Sequence, residues 1–130
     1  MNGERPVLVV DDDTSIRQLV QMLIEDELGV PTVGAGDGSE ALRAISELKP
    51  VLVVLDIMMP GVDGLQVLRQ MKSRPATRAI PVIAISAVSS LRLKMADIGC
   101  DEYLAKPFEI DSLLETVARH LRRARASSVA

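Results

Sequence analysis

Aromatic side chains are nearly missing from this chain: among 130 residues there is one Tyr, one Phe and no Trp, 2% in all. A core built without them is aliphatic. A chain so poor in ring faces is also badly equipped to stack on bases or on a flavin, the usual hold of single-stranded nucleic-acid binders on their ligands. Cysteine is equally scarce. Cys100 stands alone, so no internal disulfide can form, and no Cys/His spacing suggests zinc. No apolar run reaches the roughly 18 residues that a membrane-spanning helix needs. The opening Met-Asn-Gly-Glu-Arg-Pro lacks a basic-then-apolar signal pattern. Positive charge is not in excess either: 15 Lys and Arg stand against 18 Asp and Glu, a net charge of -3. No overall field therefore draws the chain to nucleic acid or anionic lipid. These absences predict a cytoplasmic protein with no membrane and no direct nucleic-acid partner.

What is present is the composition of a folded domain, with 48% hydrophobic and 25% charged residues, which excludes disorder, collagen and coiled coil. The length fits a single domain over 1–130, with a core over about 5–124 and a frayed tail over 126–130. Val7–Val10, Val51–Leu55 and Val82–Ile85 are continuous apolar runs rich in Val and Ile, the signature of parallel strands buried on both faces. Tyr103–Ala105 is a weaker run. Val30–Ala35 suits an edge strand, because Pro31 cannot donate to a ladder.

Helical periodicity fills the gaps. Ile16, Leu19, Val20 and Leu23 predict one apolar stripe with Gly29 as its stop. Ser39 is placed to cap a helix that buries Leu42 and Ile45 and ends before Pro50. Leu65, Leu68 and Met71 mark a third helix, Ser90–Ile98 a fourth, and Ile110, Leu113, Leu114, Val117 and Leu121 a fifth. Strand and helix alternate five times. The fold predicted is α/β, a doubly wound five-stranded parallel sheet with right-handed crossovers and helices on both faces.

The chemistry lies where the strands end. Val10 runs into Asp11-Asp12-Asp13, Leu55 into Asp56, Ile85 into Ser86 and Ala105 into Lys106. Ligands of an open parallel sheet bind outside the carboxyl ends of its strands, so these side chains share one rim. Acids gathered that closely repel one another unless a cation joins them. Mg²⁺ suits a few carboxylates and keeps waters of its own. With the metal seated, a carboxylate can attack phosphorus, while the lysine and hydroxyl hold the phosphoryl oxygens. Singly, each residue has a plainer reading: Asp13 as a helix cap, Ser86 as a turn residue, Lys106 as a solvated lysine. The constellation is the more specific signal.

Over residues 5–124 the chain resembles the receiver domains of two-component response regulators, bacterial signalling modules. Val9-Val10-Asp11-Asp12 resembles the family's Mg²⁺-binding acidic pair. Asp56-Ile-Met-Met-Pro-Gly-Val-Asp-Gly64 is similar to its phosphoacceptor loop, Ser86-Ala87 to its hydroxyl and small-residue pair, and Lys106-Pro107-Phe108 to its lysine-proline motif. The resemblance implies the flavodoxin-like strand order 2-1-3-4-5 and a cis bond before Pro107. It implies Asp56 as phosphoacceptor, with Mg²⁺ held by Asp11, Asp12, Asp56 and the Met58 backbone carbonyl. Lys106 would pair with a phosphoryl oxygen, and Ser86 and Tyr103 would form the switch. The donor would be a histidine kinase or a histidine phosphotransfer protein. The output would be an unidentified protein bound at the face of the fourth helix, fifth strand and fifth helix, with the chain a monomer or a phosphorylation-dependent dimer. Such a domain is not an enzyme in the ordinary sense; it assists its own phosphorylation and dephosphorylation. Met58 and Val88 are apolar where rapidly dephosphorylating members carry polar groups, which predicts a long-lived phosphoryl group.

Three further features bear on output. The sequence fits a stand-alone adaptor, a phosphorelay intermediate or a fragment of a multidomain regulator. Thr116 stands where the winged-helix branch of the family usually has a basic residue. Arg119, Arg122, Arg123 and Arg125 read as a solvated helix end that complements the macrodipole. A haloacid-dehalogenase-like phosphatase is the rival from another class, because Asp11-Asp12-Asp13 contains D-x-D; its later acidic pair is missing after Ile85. Gly34-Ala-Gly-Asp-Gly38 lacks the final glycine of a nucleotide-binding loop. His120 reads as a boundary histidine and Cys100 as a small buried residue.

Overall fold

The computed structural model describes residues 5–59 and 63–129, with side chains to 125. Five parallel strands, β1 (Val7–Val10), β2 (Thr32–Ala35), β3 (Leu52–Asp56), β4 (Val82–Ser86) and β5 (Glu102–Ala105), lie in the order β2-β1-β3-β4-β5. Between and after them run α1 (Thr14–Leu28), α2 (Gly38–Leu48), α3 (Gly64–Ser73), α4 (Arg92–Ile98) and α5 (Ile110–Val129). The three central strands are the continuous apolar runs and are buried throughout. The edge strands β2 and β5 are half-exposed, which is why they alone carry Gly, Thr, Glu and Tyr.

Alternation along the strands feeds two aliphatic cores. Leu8, Val10, Val53, Leu55, Val82 and Ala84 face one side of the sheet, where α2, α3 and α4 supply Ala41, Ile45, Val67, Leu68, Met71 and Met95. Val7, Val9, Leu52, Val54, Ile83 and Ile85 face the other, against Val20 and Ile24 of α1 and Leu113, Val117 and Leu121 of α5. Each Val, Leu, Ile or Met among them contributes about 1.5–3 kcal/mol when fully buried. The two aromatics are split between these cores, Tyr103 on the first side and Phe108 on the second.

Several expectations need correction. Along α1 the buried residues are Val20 and Ile24, whereas Ile16 and Leu19 are 39% and 41% exposed. The helix leans on the sheet through its later turns, so an i, i+4 pair is covered and the start of the stripe is not. α2 is capped by Asp37, not Ser39: the Asp37 carboxylate accepts the Glu40 amide at 2.8 Å, and the Glu40 carboxylate accepts the Gly36 amide at 2.8 Å. Those bonds tie Gly36 and Asp37 to the first turn of α2. The edge strand starts at Thr32, after Pro31, and the fourth helix begins as a 3-10 turn over Ser89–Leu91. The tail expected over 126–130 is helical as far as Val129, since Ala and Ser continue α5 without a breaker; Ala130 lies outside the described residues. Gly29 does stop α1, in the left-handed conformation at φ 66°.

Candidate functional site

Strand order reverses between β1 and β3, which are neighbours in the sheet although β2 separates them in sequence. Val10 pairs with Leu55, so the next residues, Asp11 and Asp56, emerge side by side. Asp56 lies opposite Ile85, and Ser86 opposite Ala105, which carries Ser86 and Lys106 to the same rim. The register of four strands thus assembles residues that are up to 95 positions apart in the chain, from Asp11 to Lys106.

Asp11, Asp12 and Asp56 each present a carboxylate oxygen within 4.8 Å of the others; Asp11 and Asp56 are buried and Asp12 is exposed. Lys106 Nζ lies 3.0 Å from Asp56 Oδ2 and 3.9 Å from Asp11 Oδ2. Asp56 Oδ1 accepts the Met58 amide at 3.0 Å, and Asp11 Oδ1 accepts the Asp13 amide at 2.9 Å. Burial raises the Asp11 carboxyl above its ordinary range; the Asp13 amide opposes this, and repulsion from Asp56 adds to it. Burial by itself would lower the Lys106 ammonium. The hydrogen bond and attraction to Asp56, with the charges of Asp11 and Asp12, outweigh burial and raise it. One ammonium faces three carboxylates, so the rim is short of positive charge. That hard, all-oxygen donor set fits Mg²⁺.

Ser86 is fully buried. Its Oγ accepts the Val88 amide at 3.0 Å, and its carbonyl accepts both the Lys106 amide at 3.0 Å and the Tyr103 hydroxyl at 3.2 Å. The Tyr103 ring is half-buried, with the Arg92 guanidinium 5.6 Å from its centroid. The Lys106–Pro107 bond is cis. Met58 and Val88 flank the rim with exposed apolar side chains. Residues 60–62 of the Asp56–Gly64 loop lie outside the described residues.

Other residues singled out in the sequence are held elsewhere. Asp13 caps α1 by accepting the Ile16 amide at 3.1 Å, which removes the second acid that a D-x-D phosphatase needs. His120 is buried, and its Nε2 lies 3.1 Å from Glu102 at the opposite end of β5, where Arg119 also bonds Glu102 at 2.8 Å. Burial pushes the Cys100 thiol up, so it stays protonated and is a poor nucleophile. A cavity of about 800 Å³ opens beside Val51, Pro81 and His120, at the ends of the strands remote from the acids. Gly64, the last residue of the Asp56–Gly64 motif, opens α3 so close to the Asp56 strand end that a Cβ there would lie 2.5 Å from the Asp56 carbonyl oxygen.

The sequence matches the response regulator receiver domain over residues 7–118. The chain belongs to the response regulator receiver family. Among its relatives, the DNA-binding response regulator MtrA of Mycolicibacterium smegmatis is 37% identical over 119 residues, 90% of this chain and 50% of that protein. The response regulator MprA of a Mycobacterium species is 40% identical over the same shares. The chain therefore spans about half the length of the curated relatives it matches. The Francisella response regulator 1452 receiver domain superposes with a TM-score of 0.83 at 35% identity, covering 92% of this chain and 98% of that one. For the receiver domain of NtrX from Brucella abortus the TM-score is 0.79 at 36% identity, with 89% and 98% covered. Receivers interact with histidine kinases or phosphotransfer proteins and act as signalling domains of two-component systems. Among the described residues, no helix is long and apolar enough to cross a membrane.

Proposed function

We propose that this receiver accepts a phosphoryl group on Asp56 from a phosphohistidine of a histidine kinase or phosphotransfer protein. The observation that carries the reading is the Lys106–Asp56 contact at 3.0 Å within a cluster of three carboxylates. As an O–P bond forms to Asp56, the P–N bond of the donor breaks and the imidazole leaves with its electron pair. Asp11, Asp12, Asp56 and the Met58 carbonyl would hold Mg²⁺, which supplies charge neutralisation for the phosphoryl oxygens when bound. Lys106 then exchanges its carboxylate partner for a phosphoryl oxygen. Ser86 gives up the Val88 amide to meet another, and Tyr103 responds because it is bonded to the Ser86 carbonyl. The outcome is a bias in the face built from α4, β5 and α5, where a downstream protein binds. The setting is cytoplasmic, in one domain with its core over about 5–124, monomeric or dimerising on phosphorylation.

Asp56→Asn removes the nucleophile and abolishes labelling by acetyl phosphate in the presence of Mg²⁺, read by intact-protein mass spectrometry. Retained labelling in that variant would refute the assignment. A second reading, the receiver half of a DNA-binding regulator, is favoured by the half-length match to a relative named as such, MtrA. Thr116 is buried and its hydroxyl donates to the Ser112 carbonyl at 2.8 Å, so this position contributes packing and no surface charge.

A further inference from the structure

The peptide that joins the two proposed Mg²⁺ ligands, Asp11 and Asp12, is held from outside the site. Its carbonyl, that of Asp11, accepts a hydrogen bond from Arg17 Nη1 at 2.7 Å, while the Asp11 amide donates to the Ala35 carbonyl at 3.1 Å. Arg17 lies on α1 and reaches that carbonyl by running along the backbone of the edge strand β2 and its continuation. A Cβ on Gly34 would lie 3.1 Å from Arg17 Cδ and would press still harder on the end of Gln21. A Cβ on Gly36 would lie 3.3 Å from Arg17 Nη1 and 3.8 Å from its Cζ, with no other atom among its contacts. Neither glycine has a positive φ, which among the described glycines is confined to Gly29 and Gly99. Their missing side chains therefore serve space and not backbone conformation: they clear a path for the arginine.

From this we infer that Arg17 is a positioning residue for the metal site, with Gly34 and Gly36 as the groove that admits it. The guanidinium fixes the plane of the Asp11–Asp12 peptide, and so the direction from which both carboxylates leave the backbone. It also brings a permanent positive charge behind an acidic rim where Lys106 is otherwise the cation within ion-pair distance. Groups that orient metal ligands without touching the metal commonly set the affinity, because the site then needs no reordering when the ion arrives. The inference rests on the receiver chemistry proposed above.

The test is isothermal titration of the full chain with MgCl₂, together with the thermal midpoint of the metal-free protein. Arg17→Gln should weaken Mg²⁺ binding about tenfold. Arg17→Lys, which keeps the charge and one donor, should recover part of that loss. Gly36→Ala displaces the guanidinium without removing it, and should weaken binding by less than Arg17→Gln does. In the Arg17→Gln background, Gly36→Ala should cost nothing further, since its added methyl has no guanidinium left to disturb. Should Arg17→Gln fail to fold, Gly36→Ala alone gives the reading. Unchanged Mg²⁺ affinity in Arg17→Gln, or in Gly36→Ala where that variant stands alone, overturns the inference, as do additive losses for the pair. A fall in metal-free stability with unaltered affinity does the same and assigns Arg17 to packing. A wild-type chain that binds no Mg²⁺ refutes the receiver chemistry itself, whereas wild-type binding with indifferent variants refutes the role of Arg17 alone.

Discussion

Lys106 answers two carboxylates at once, and Asp56 is the nearer of them. At this scale the rim is a charge-balance problem with one permanent cation and room for a second. On the proposed phosphorylation of Asp56, residues 58 and 88 would govern how long the phosphoryl group lasts. Both flank the rim, Met58 at 54% and Val88 at 37% exposure, and neither can hydrogen-bond an attacking water. The expected result is slow loss of the phosphoryl group. In the Met58→Asn, Val88→Glu double variant, decay should accelerate about tenfold or more, because polar groups there can orient the water. The measurement is the half-life of the labelled protein with Mg²⁺ and without a phosphatase. Equal half-lives would rule the explanation out. The resemblance to receiver domains implied this expectation, which depends on residue type at fixed offsets from Asp56 and Ser86.

At the scale of elements, β5 and α5 are tied together by Glu102, which accepts from Arg119 at 2.8 Å and meets His120 at 3.1 Å. The hydrogen bond from Arg119 holds the Glu102 carboxyl below its ordinary value of 4.5, against a smaller opposing effect of burial, with His120 adding to the lowering. A carboxyl depressed in the folded state contributes stability that is present above about 4.5, its unfolded value, and is lost as pH falls through the folded value. Glu102→Gln should therefore cost about 1 kcal/mol at pH 7 and progressively less as pH drops below that value. Urea unfolding of both proteins at pH 7 and at successively lower pH reads the difference. A gap that does not close on acidification would show that Glu102 acts by shape alone. None of this was legible beforehand. His120 could be placed beside the last helical stripe, but its partner is 18 residues away on a strand whose start was expected one residue later.

For the molecule as a whole, the sole tyrosine joins the rim to the proposed output face. Its hydroxyl holds the Ser86 carbonyl, and its ring lies beside Arg92 at the start of α4. With no tryptophan present, its emission can be read directly. Beryllofluoride with Mg²⁺, a mimic of the phosphorylated state, should alter Tyr103 fluorescence in the wild-type chain and leave it unaltered in Asp56→Asn. An unchanged wild-type spectrum, with the mimic shown to be bound, would break the proposed link between Ser86 and Tyr103.

The sequence by itself determined the strands, the helices and the rim. A strand buried on both faces must be continuously apolar, so the first polar residue after each central run marks the strand end, and in a parallel sheet those ends share one edge. It also determined the Asp13 cap and the Gly29 stop, which depend on neighbours a few residues away. Only the tertiary structure decided which turns of α1 meet the sheet, that Asp37 and not Ser39 caps α2, and that Gly64 abuts the Asp56 strand end. It alone brought Arg17 across two glycines to the Asp11 carbonyl. Periodicity records which residues share a face of one element. Which neighbour that face meets depends on sheet order and on how closely the backbones approach, and both are settled by packing the whole chain at once.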